Sequence, residues 1–292
     1  MHGYAGKVVA ITGAASGIGR GLALRFGEYG SKLSLADINE PGLKQVEAEL
    51  KAKGVTVIAN SFDVSSVEDV RSFADITFAT YGGVDYLFNN AGASAGGYVT
   101  EAYLKDFEWV FAVNTMAHVY AARAFVPRMI AQDRECHVIN TLSVSAFFSF
   151  SINQPYAASK FAALSILESL ELQMREQGTK VFCHGLCPGF VNTNFGDIEQ
   201  NRSPRYALDE EGVAFKQTPG QQKSNYISKK LVTSGIPVEQ CVDAVFEGLQ
   251  EGRFLIFTHP LANSYMKKWR ENLLDGRMGT EDNQLEMSHF IK

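Results

Sequence analysis

The sequence predicts an α/β fold: a doubly wound parallel sheet with helices on both faces. Short apolar, β-branched runs alternate with helical stretches from residue 7 to residue 257, and this alternation specifies parallel strands joined by crossover helices. The runs are apolar nearly throughout, as in strands covered on both faces. The first run opens into Gly13-Ala14-Ala15-Ser16-Gly17-Ile18-Gly19 and then a helix, which puts a glycine-rich turn at the carboxyl end of a strand.

Taken in order, a strand over 7–12 is followed by that turn and a helix over 20–29, closed by Gly30. A second strand, 32–36, stops at Asp37, and a helix over 41–53 ends at Gly54. The third strand, 55–62, leads to Asp63-Val64, and an amphipathic helix covers 67–81. The fourth strand, 84–88, ends at Asn89-Asn90-Ala91-Gly92. A long helical region spans 104–130 and is expected to bend or break near Pro127, which lacks a backbone N–H. A strand over 135–141 precedes a long helix over 156–177, ended by Gly178. The sixth strand, 180–186, runs into Cys187-Pro188-Gly189, and a helix over 237–250 with a strand over 253–257 completes the pattern. Two pieces break the rhythm: a polar insert over about 194–235 and a charged extension over about 261–292. No linker divides the chain, so residues 1–292 are expected to form a single domain.

The composition, 46% hydrophobic and 20% charged over 292 residues, is ordinary for a globular protein with a sizeable core. A net charge of −5 leaves no basic footprint for nucleic acid. No apolar run reaches the roughly 18 residues of a membrane span. The start, Met1-His2-Gly3-Tyr4, lacks a signal-peptide layout, and His289-Phe290-Ile291-Lys292 matches no targeting signal, so a cytoplasmic protein is expected. None of Cys136, Cys183, Cys187 and Cys241 makes a C-x-x-C pair. On a strand, Cys183 and Cys187 would stand ~13 Å apart, too far to share a metal ion, and reduced buried thiols suit a cytosolic protein. No metal is expected.

In open α/β sheets ligands bind beyond the carboxyl ends of the strands. There, Gly13, Gly17 and Gly19 would let the backbone approach a pyrophosphate that faces a helix N-terminus. Asp37, about 20 residues beyond the turn, can accept hydrogen bonds from both hydroxyls of an adenosine ribose and would repel a 2′-phosphate. Neither Ile38 nor Ala15 offers a positive charge for that phosphate, so NAD is expected over NADP. Asp37 and Asn39 are also placed to cap the helix that begins near Pro41-Gly42.

Tyr156-Ala157-Ala158-Ser159-Lys160 sets a phenol and an ammonium four residues apart, on one face of a helix. A cation at ~4 Å and an effective dielectric of ~20 is worth about 4 kcal/mol, enough to lower a phenol by about three pH units toward working pH. By itself the spacing also describes a Tyr and a Lys on an exposed helix face.

The ordered set Thr12-Gly13-x-x-x-Gly17-Ile18-Gly19, Asp63-Val64, Asn89-Asn90-Ala91-Gly92, Asn114, Ser143, Tyr156-x-x-x-Lys160 and Pro188-Gly189-x-Val191-x-Thr193 resembles the classical short-chain dehydrogenase/reductase (SDR) family over roughly residues 5 to 258. The resemblance implies a Rossmann-type fold and a role for each matching position. Ser16, Gly17 and Ile18 would lie along the cofactor phosphates, Asp37 at the ribose, and Asp63 and Val64 at the adenine. Asn90 and Gly92 would lie by the cofactor's central part, and Pro188, Gly189, Val191 and Thr193 around the nicotinamide. Lys160 would bind the nicotinamide ribose and tune Tyr156. Asn114 would hold a water in a relay to Lys160, and Ser143 would hydrogen-bond the substrate oxygen. The implied reaction is hydride transfer between a secondary alcohol and the nicotinamide, with Tyr156 moving the proton.

Two positions depart from the commonest pattern. Ala117 stands where Gly is usual, with little expected effect, and Ser145 stands two residues beyond Ser143 and is a second candidate to face the substrate. His118, His137 and His184 lie in helical or strand-like runs and are assigned packing or surface roles. For the substrate pocket the expected residues are Ser143, Ser145, Phe150, Tyr156, Phe190 and Phe195, with Tyr98, Phe147 and Phe148 nearby. They point to an apolar or aromatic secondary alcohol or ketone. Chain length and Phe125-Val126-Pro127-Arg128-Met129-Ile130 resemble bacterial members acting on benzylic alcohols, lignin-derived aryl ethers included. The insert is expected to act as a lid, and the extension to cover the pocket or a neighbouring subunit. Relatives commonly form homodimers or homotetramers through the helices over 104–130 and 156–177.

Other readings are a dinucleotide-binding regulatory protein without turnover, a family member acting on a steroid, acyl or sugar alcohol, and a dehydratase or epimerase of the extended branch. The complete set Asn114, Ser143, Tyr156 and Lys160 argues against the non-catalytic reading. The glycine spacing and chain length argue against the extended branch.

Overall fold

A computed structural model describes residues 3–260 and 262–278. Seven strands, β1 (Val8–Thr12), β2 (Lys32–Asp37), β3 (Val57–Ser61), β4 (Tyr86–Asn89), β5 (Cys136–Thr141), β6 (Val181–Cys187) and β7 (Leu255–Phe257), form one sheet in the order β3-β2-β1-β4-β5-β6-β7. Every pair is parallel. Val9 of β1 lies opposite Leu33 on one side and Tyr86 on the other. The strand order reverses between β1 and β4, which opens a crevice beyond their carboxyl ends.

Ten helices flank the sheet among the described residues: α1 (Gly17–Glu28), α2 (Glu40–Ala52), α3 (Val67–Tyr81), α4 (Leu104–Phe111), α5 (Ala117–Ala131), α6 (Tyr156–Glu176), α7 (Glu210–Phe215), α8 (Pro219–Thr233), α9 (Val238–Gln250) and α10 (Ala262–Leu274). Successive side chains of a strand point to opposite faces. Accordingly Val9 and Ile11 enter a core with Phe26, Leu43 and Phe246 of α1, α2 and α9, while Val8 and Ala10 enter one with Phe73, Trp109, Phe125 and Leu167 of α3 to α6. Both faces of β1 are therefore dry, which is why its sequence shows no polar alternation. The predicted third strand starts two residues late because Val55 N–H donates to the Leu50 carbonyl and closes α2 instead.

The long helical region does not break at Pro127, which lies inside α5. It is interrupted at a π-turn, Ala112–Met116. The Asn114 carboxamide explains the position of this turn. It donates to the Ala93 carbonyl at 2.9 Å and to Ser159 Oγ at 3.0 Å, and accepts from Ala93 N–H at 2.9 Å. Such π-turns recur at functional sites.

The insert, expected as a polar loop, is largely helical. After three short 3₁₀ turns it forms α7 and α8, which bury Phe215, Leu231 and Val232. Its first half is pinned to the body of the protein. Arg202 pairs with Asp106 at 2.6 Å with both side chains buried, and its guanidinium lies 4.4 Å from the Trp109 ring centroid. Lys216 pairs with Asp106 at 3.3 Å and with Glu199 at 2.9 Å. Its polar sequence gives no sign of this helical packing because the charges of Arg202, Lys216, Glu199 and Asp106 neutralise one another across a packed interface.

Of the predicted extension, residues 279–292 and Leu261 lie outside the described residues. α10 packs behind the aromatic rings that follow β5: Tyr265 meets Phe148 edge-on at 5.3 Å, and Trp269 and Met266 join the same cluster. The extension thus backs one wall of the crevice.

Candidate active site

The crevice holds a cavity of about 820 Å³. At one end lies the glycine-rich turn. Gly13 and Gly17 have φ of +67° and +50°, and a Cβ on Gly13 would stand 2.8 Å from the Ala91 backbone. Ser16 caps α1 without a side-chain hydrogen bond, and no acidic residue occupies the first turn. The first N–H groups of α1 therefore face the cavity with a partial positive charge, which suits a diphosphate. Gly13, Ser16, Gly17, Ile18, Asn90, Gly92, Pro188, Gly189, Val191 and Thr193 all line this cavity.

Gly19 does not line it. Its Cα packs on the turn itself, and a Cβ there would meet the Gly13 carbonyl oxygen at 2.1 Å. Gly19→Ala is expected to destabilise the protein by about 3 kcal/mol, in the upper range of overpacked sites, and to abolish dinucleotide binding. Thermal unfolding and a dinucleotide titration of the variant check this, and wild-type behaviour in both would refute the assignment.

A second cavity of about 80 Å³ continues the first, sharing Gly92 and Asn201, and is lined by Asp37, Asp63, Val64 and Trp109. Asp37 accepts Ala15 N–H and Asn39 N–H, each at 2.8 Å. Burial raises its pKa while these bonds oppose the rise. The helix cap itself is Asn39, whose Oδ1 accepts Gly42 N–H at 3.1 Å, while Asp37 steadies that cap through Asn39 N–H and lines the cavity. Asp63 accepts Ser65 N–H at 2.9 Å and the Ser203 hydroxyl of the insert at 2.5 Å. The cradle, the helix N-terminus and the two carboxylates fit a dinucleotide laid across the ends of β1 to β4.

At the other end stand Ser143, Tyr156 and Lys160, all on the cavity wall. Tyr156 is the first residue of α6, so its phenol points off the helix start into the crevice. Ser143 follows β5 in extended backbone, its Oγ accepts Ser145 N–H at 3.1 Å, and its hydroxyl donates to the Pro188 carbonyl at 3.5 Å. Lys160 Nζ donates to the Thr141 carbonyl at 2.8 Å and lies 5.7 Å from the Tyr156 ring centroid. The spacing argument expected the lysine to lower the phenol. In the protein chain by itself burial wins instead, pushing Tyr156 up to about 12 although the Ser143 hydroxyl lowers it, and Lys160 down to about 7. Sequence spacing showed the two groups as neighbours but not the depth at which they lie.

Asn114 is fully buried and is not on the cavity wall. Its side chain bonds Ala93 and Ser159 and so ties α6 to the loop after β4. Phe150, Phe190, Phe195 and Ser145 line the cavity as expected, with Phe195 edge-on to Tyr156 at 5.7 Å and Ser145 Oγ accepting from Asn153 at 3.3 Å. Phe147 turns away to pack on Phe257, and Tyr98 lies against Gly220. Phe148 takes the wall position.

Sequence reasoning missed the wall built by α8: Lys223, Ser224, Ile227, Lys230 and Leu231. Ser224, Ile227 and Leu231 repeat at i, i+3 and i+7, a helical face that the surrounding charges obscured. It also missed Thr258 and His259, just past β7. Gly189 N–H donates to Thr258 Oγ1 at 3.3 Å and to His259 Nδ1 at 3.2 Å, so these residues fix the turn expected beside the nicotinamide. Their place at a strand carboxyl end was the available signal. His137 and His184 pair with each other at 2.9 Å between β5 and β6, away from the site.

The family model described as short chain dehydrogenase matches residues 7–203. The chain belongs to the short-chain dehydrogenase/reductase family. It is 32% identical over 263 residues to the CLA biosynthesis dehydrogenase/reductase of Lactiplantibacillus plantarum, covering 90% of this chain and 91% of the relative. It is 38% identical over 216 residues to the 1-deoxy-11-beta-hydroxypentalenate dehydrogenase of Streptomyces exfoliatus, covering 73% of this chain and 77% of the relative. A solved SDR from Burkholderia phymatum in complex with NAD is 35% identical with a TM-score of 0.92, over 98% of this chain and 100% of that one. The residues present therefore serve an SDR oxidoreductase with a nicotinamide dinucleotide. Among the described residues no cluster of three or more His, Cys, Asp or Glu side chains could hold a metal ion, and no helix is long and apolar enough to cross a membrane. The four cysteines are free and buried.

Proposed function

We propose that this SDR transfers a hydride between NAD and an apolar secondary alcohol or its ketone, aryl carbinols among them. One observation carries the reading: Tyr156, Ser143 and Lys160 meet in a cavity whose wall includes Phe148, Phe150, Phe190, Phe195, Ile227 and Leu231, with Ser145, Asn153, Lys223, Ser224 and Lys230 as its polar members. Bound, the dinucleotide supplies the hydride acceptor or donor. Tyr156 takes the alcohol proton as phenolate, or returns it to the alkoxide as phenol. Ser143 orients the substrate oxygen and stabilises its developing charge. Lys160 favours the phenolate and reaches for the nicotinamide ribose, while Thr141 and Asn114 hold its helix in place.

NAD is preferred on the strength of Asp37. Each carboxylate oxygen has two acceptor sites, so ribose hydroxyls can still be bound beside the two N–H groups, whereas a 2′-phosphate would face a negative charge. The NAD complex of the Burkholderia relative supports the same choice. The charged residues lining the large cavity are Lys160, Lys223 and Lys230, which favours neutral or anionic substrates over cationic ones. α8 forms part of the substrate wall, consistent with the insert closing over what binds there.

A panel of neutral, anionic and cationic aryl and alkyl carbinols, with sugar alcohols as contrast, tests this with NAD and NADP, read by absorbance of the reduced cofactor. Apolar carbinols with NAD are expected to lead, with kcat/KM at least tenfold lower for NADP and for cationic analogues. A preference for sugars or for NADP would overturn the substrate or cofactor part respectively.

A further inference from the structure

The sheet order sets β3 and β6 at opposite ends of the crevice. Five strand spacings of about 4.8 Å separate them, roughly 24 Å in all. The chain leaving β6 nevertheless returns to β3: Ser203 Oγ donates to Asp63 Oδ2 at 2.5 Å, across 140 residues of sequence. On the way it passes the carboxyl ends of the strands between, where the dinucleotide site lies. The two cavities record that passage. Asn201 lines both, and Ser203 lines the one that holds Asp37 and Asp63. The residue between them fixes the segment. The Arg202 guanidinium donates to Asp106, Glu199 and the Tyr206 carbonyl, and lies over Trp109, another wall residue of that second cavity. The Arg202 and Asp106 side chains are 5% and 1% exposed. Breaking a pair buried to that depth is costly, so the crossing is held in place where a mobile lid would be free.

We propose that residues 201–203 form the outer wall of the adenosine half of the dinucleotide site, with Asn201 and Ser203 as binding residues and Arg202 as the positioning residue that holds them. The inference requires a nicotinamide dinucleotide and is independent of the alcohol proposed above. Asn201 Nδ2 donates to the Asn194 carbonyl at 3.4 Å and to the Asp197 carbonyl at 3.3 Å, which leaves Oδ1 to accept a hydroxyl of the adenosine ribose. Ser203 acts through Asp63. With Ser65 N–H on Oδ1 and the Ser203 hydroxyl on Oδ2, the carboxylate is held in one orientation. Each oxygen keeps a second acceptor site, and the adenine amino group is a donor of the right kind. A dinucleotide enclosed in this way leaves only when the segment lifts, so the buried pairs of Arg202 slow its release.

Stopped-flow release and equilibrium titration test this, with whichever of NADH and NADPH wild type binds more tightly. Arg202→Gln should release the dinucleotide at least tenfold faster. The double variant Asn201→Ala/Ser203→Ala, which removes few atoms, should bind it at least tenfold more weakly. Two fragments, each read by displacement of the bound reduced dinucleotide, locate the loss. ADP-ribose, or its 2′-phosphate where NADPH is the probe, carries the adenosine half and should weaken in parallel with the whole molecule. Nicotinamide mononucleotide lacks that half and should bind within twofold of its wild-type affinity. A general loosening of the fold predicts equal losses for both fragments. A segment that merely packs nearby predicts an adenosine fragment bound within twofold of wild type. Either result overturns the proposal. If Arg202→Gln does not fold, the double alanine variant decides by the same fragment comparison. Failure of wild type to bind either dinucleotide would also overturn it, whereas turnover of an unexpected alcohol would leave it standing and count against the reaction reading instead.

Discussion

Tyr156→Phe is expected to lower kcat by about 10³-fold, within the span usual for a lost general acid or base, while the dinucleotide dissociation constant stays within a few-fold. The ring keeps its edge-on contact with Phe195, so the change removes one hydroxyl and little packing. The geometry also explains why no neighbour substitutes. Ser143 shares the cavity wall with the phenol, and an ordinary hydroxyl cannot carry the proton at neutral pH. Lys160 already donates to Thr141. The chain alone holds the phenol near 12, so reaching the phenolate at pH 8 calls for roughly 5 kcal/mol of stabilisation. A lysine kept charged at ~4 Å would supply about 4 kcal/mol at an effective dielectric of ~20, but the chain alone holds Lys160 near 7, so the bound dinucleotide has to favour the ammonium as well. Steady-state turnover and a fluorescence titration with the reduced dinucleotide separate chemistry from binding. Turnover near wild type would remove Tyr156 from the mechanism, and a parallel loss of binding would make its role structural.

What could be read in the chain, and what could not, divides along physical lines. The strands were legible because both faces of β1 are covered, so VVAIT carries no polar residue until Thr12. The glycine turn was legible because only glycine fits where a Cβ would strike Ala91 or the Gly13 carbonyl. Asn114 was legible as a position, but its bonds to Ala93 and Ser159 were not, since spacing does not show which atoms a buried carboxamide meets. The insert was misread because a sequence shows Arg202, Glu199 and Lys216 as charges and not as partners of the distant Asp106. His259 escaped because its role depends on Gly189, 70 residues earlier, and no local pattern joins them. Local geometry writes itself into local sequence; contacts between distant loops do not.

Lys160→Met tests the second large effect, and it should act in two directions. In the functional assay the variant loses the cation beside Tyr156 and the donor proposed for the nicotinamide ribose. It should lose turnover by about 10² or more, in the range of removed acid-base support, and bind the dinucleotide more weakly. In stability it should gain. Burial lowers the folded-state pKa of Lys160 from 10.5 to about 7, so an ammonium at this position opposes folding. Below about pH 7 the lysine is charged in both states and the whole penalty is present. Between about pH 7 and 10.5 the unfolded chain holds a proton that the folded one has released, so wild-type stability rises with pH through that window. Methionine, of similar length and without charge, carries no such penalty. Without dinucleotide, the variant should therefore be more stable than wild type near pH 6, by at most ~5 kcal/mol, and the two should converge toward pH 10. Urea unfolding of both proteins from pH 6 to 10 gives the answer. A constant difference across that range would show that Lys160 is not a buried charge, and the same lysine could then no longer be held responsible for bringing the Tyr156 phenol into range.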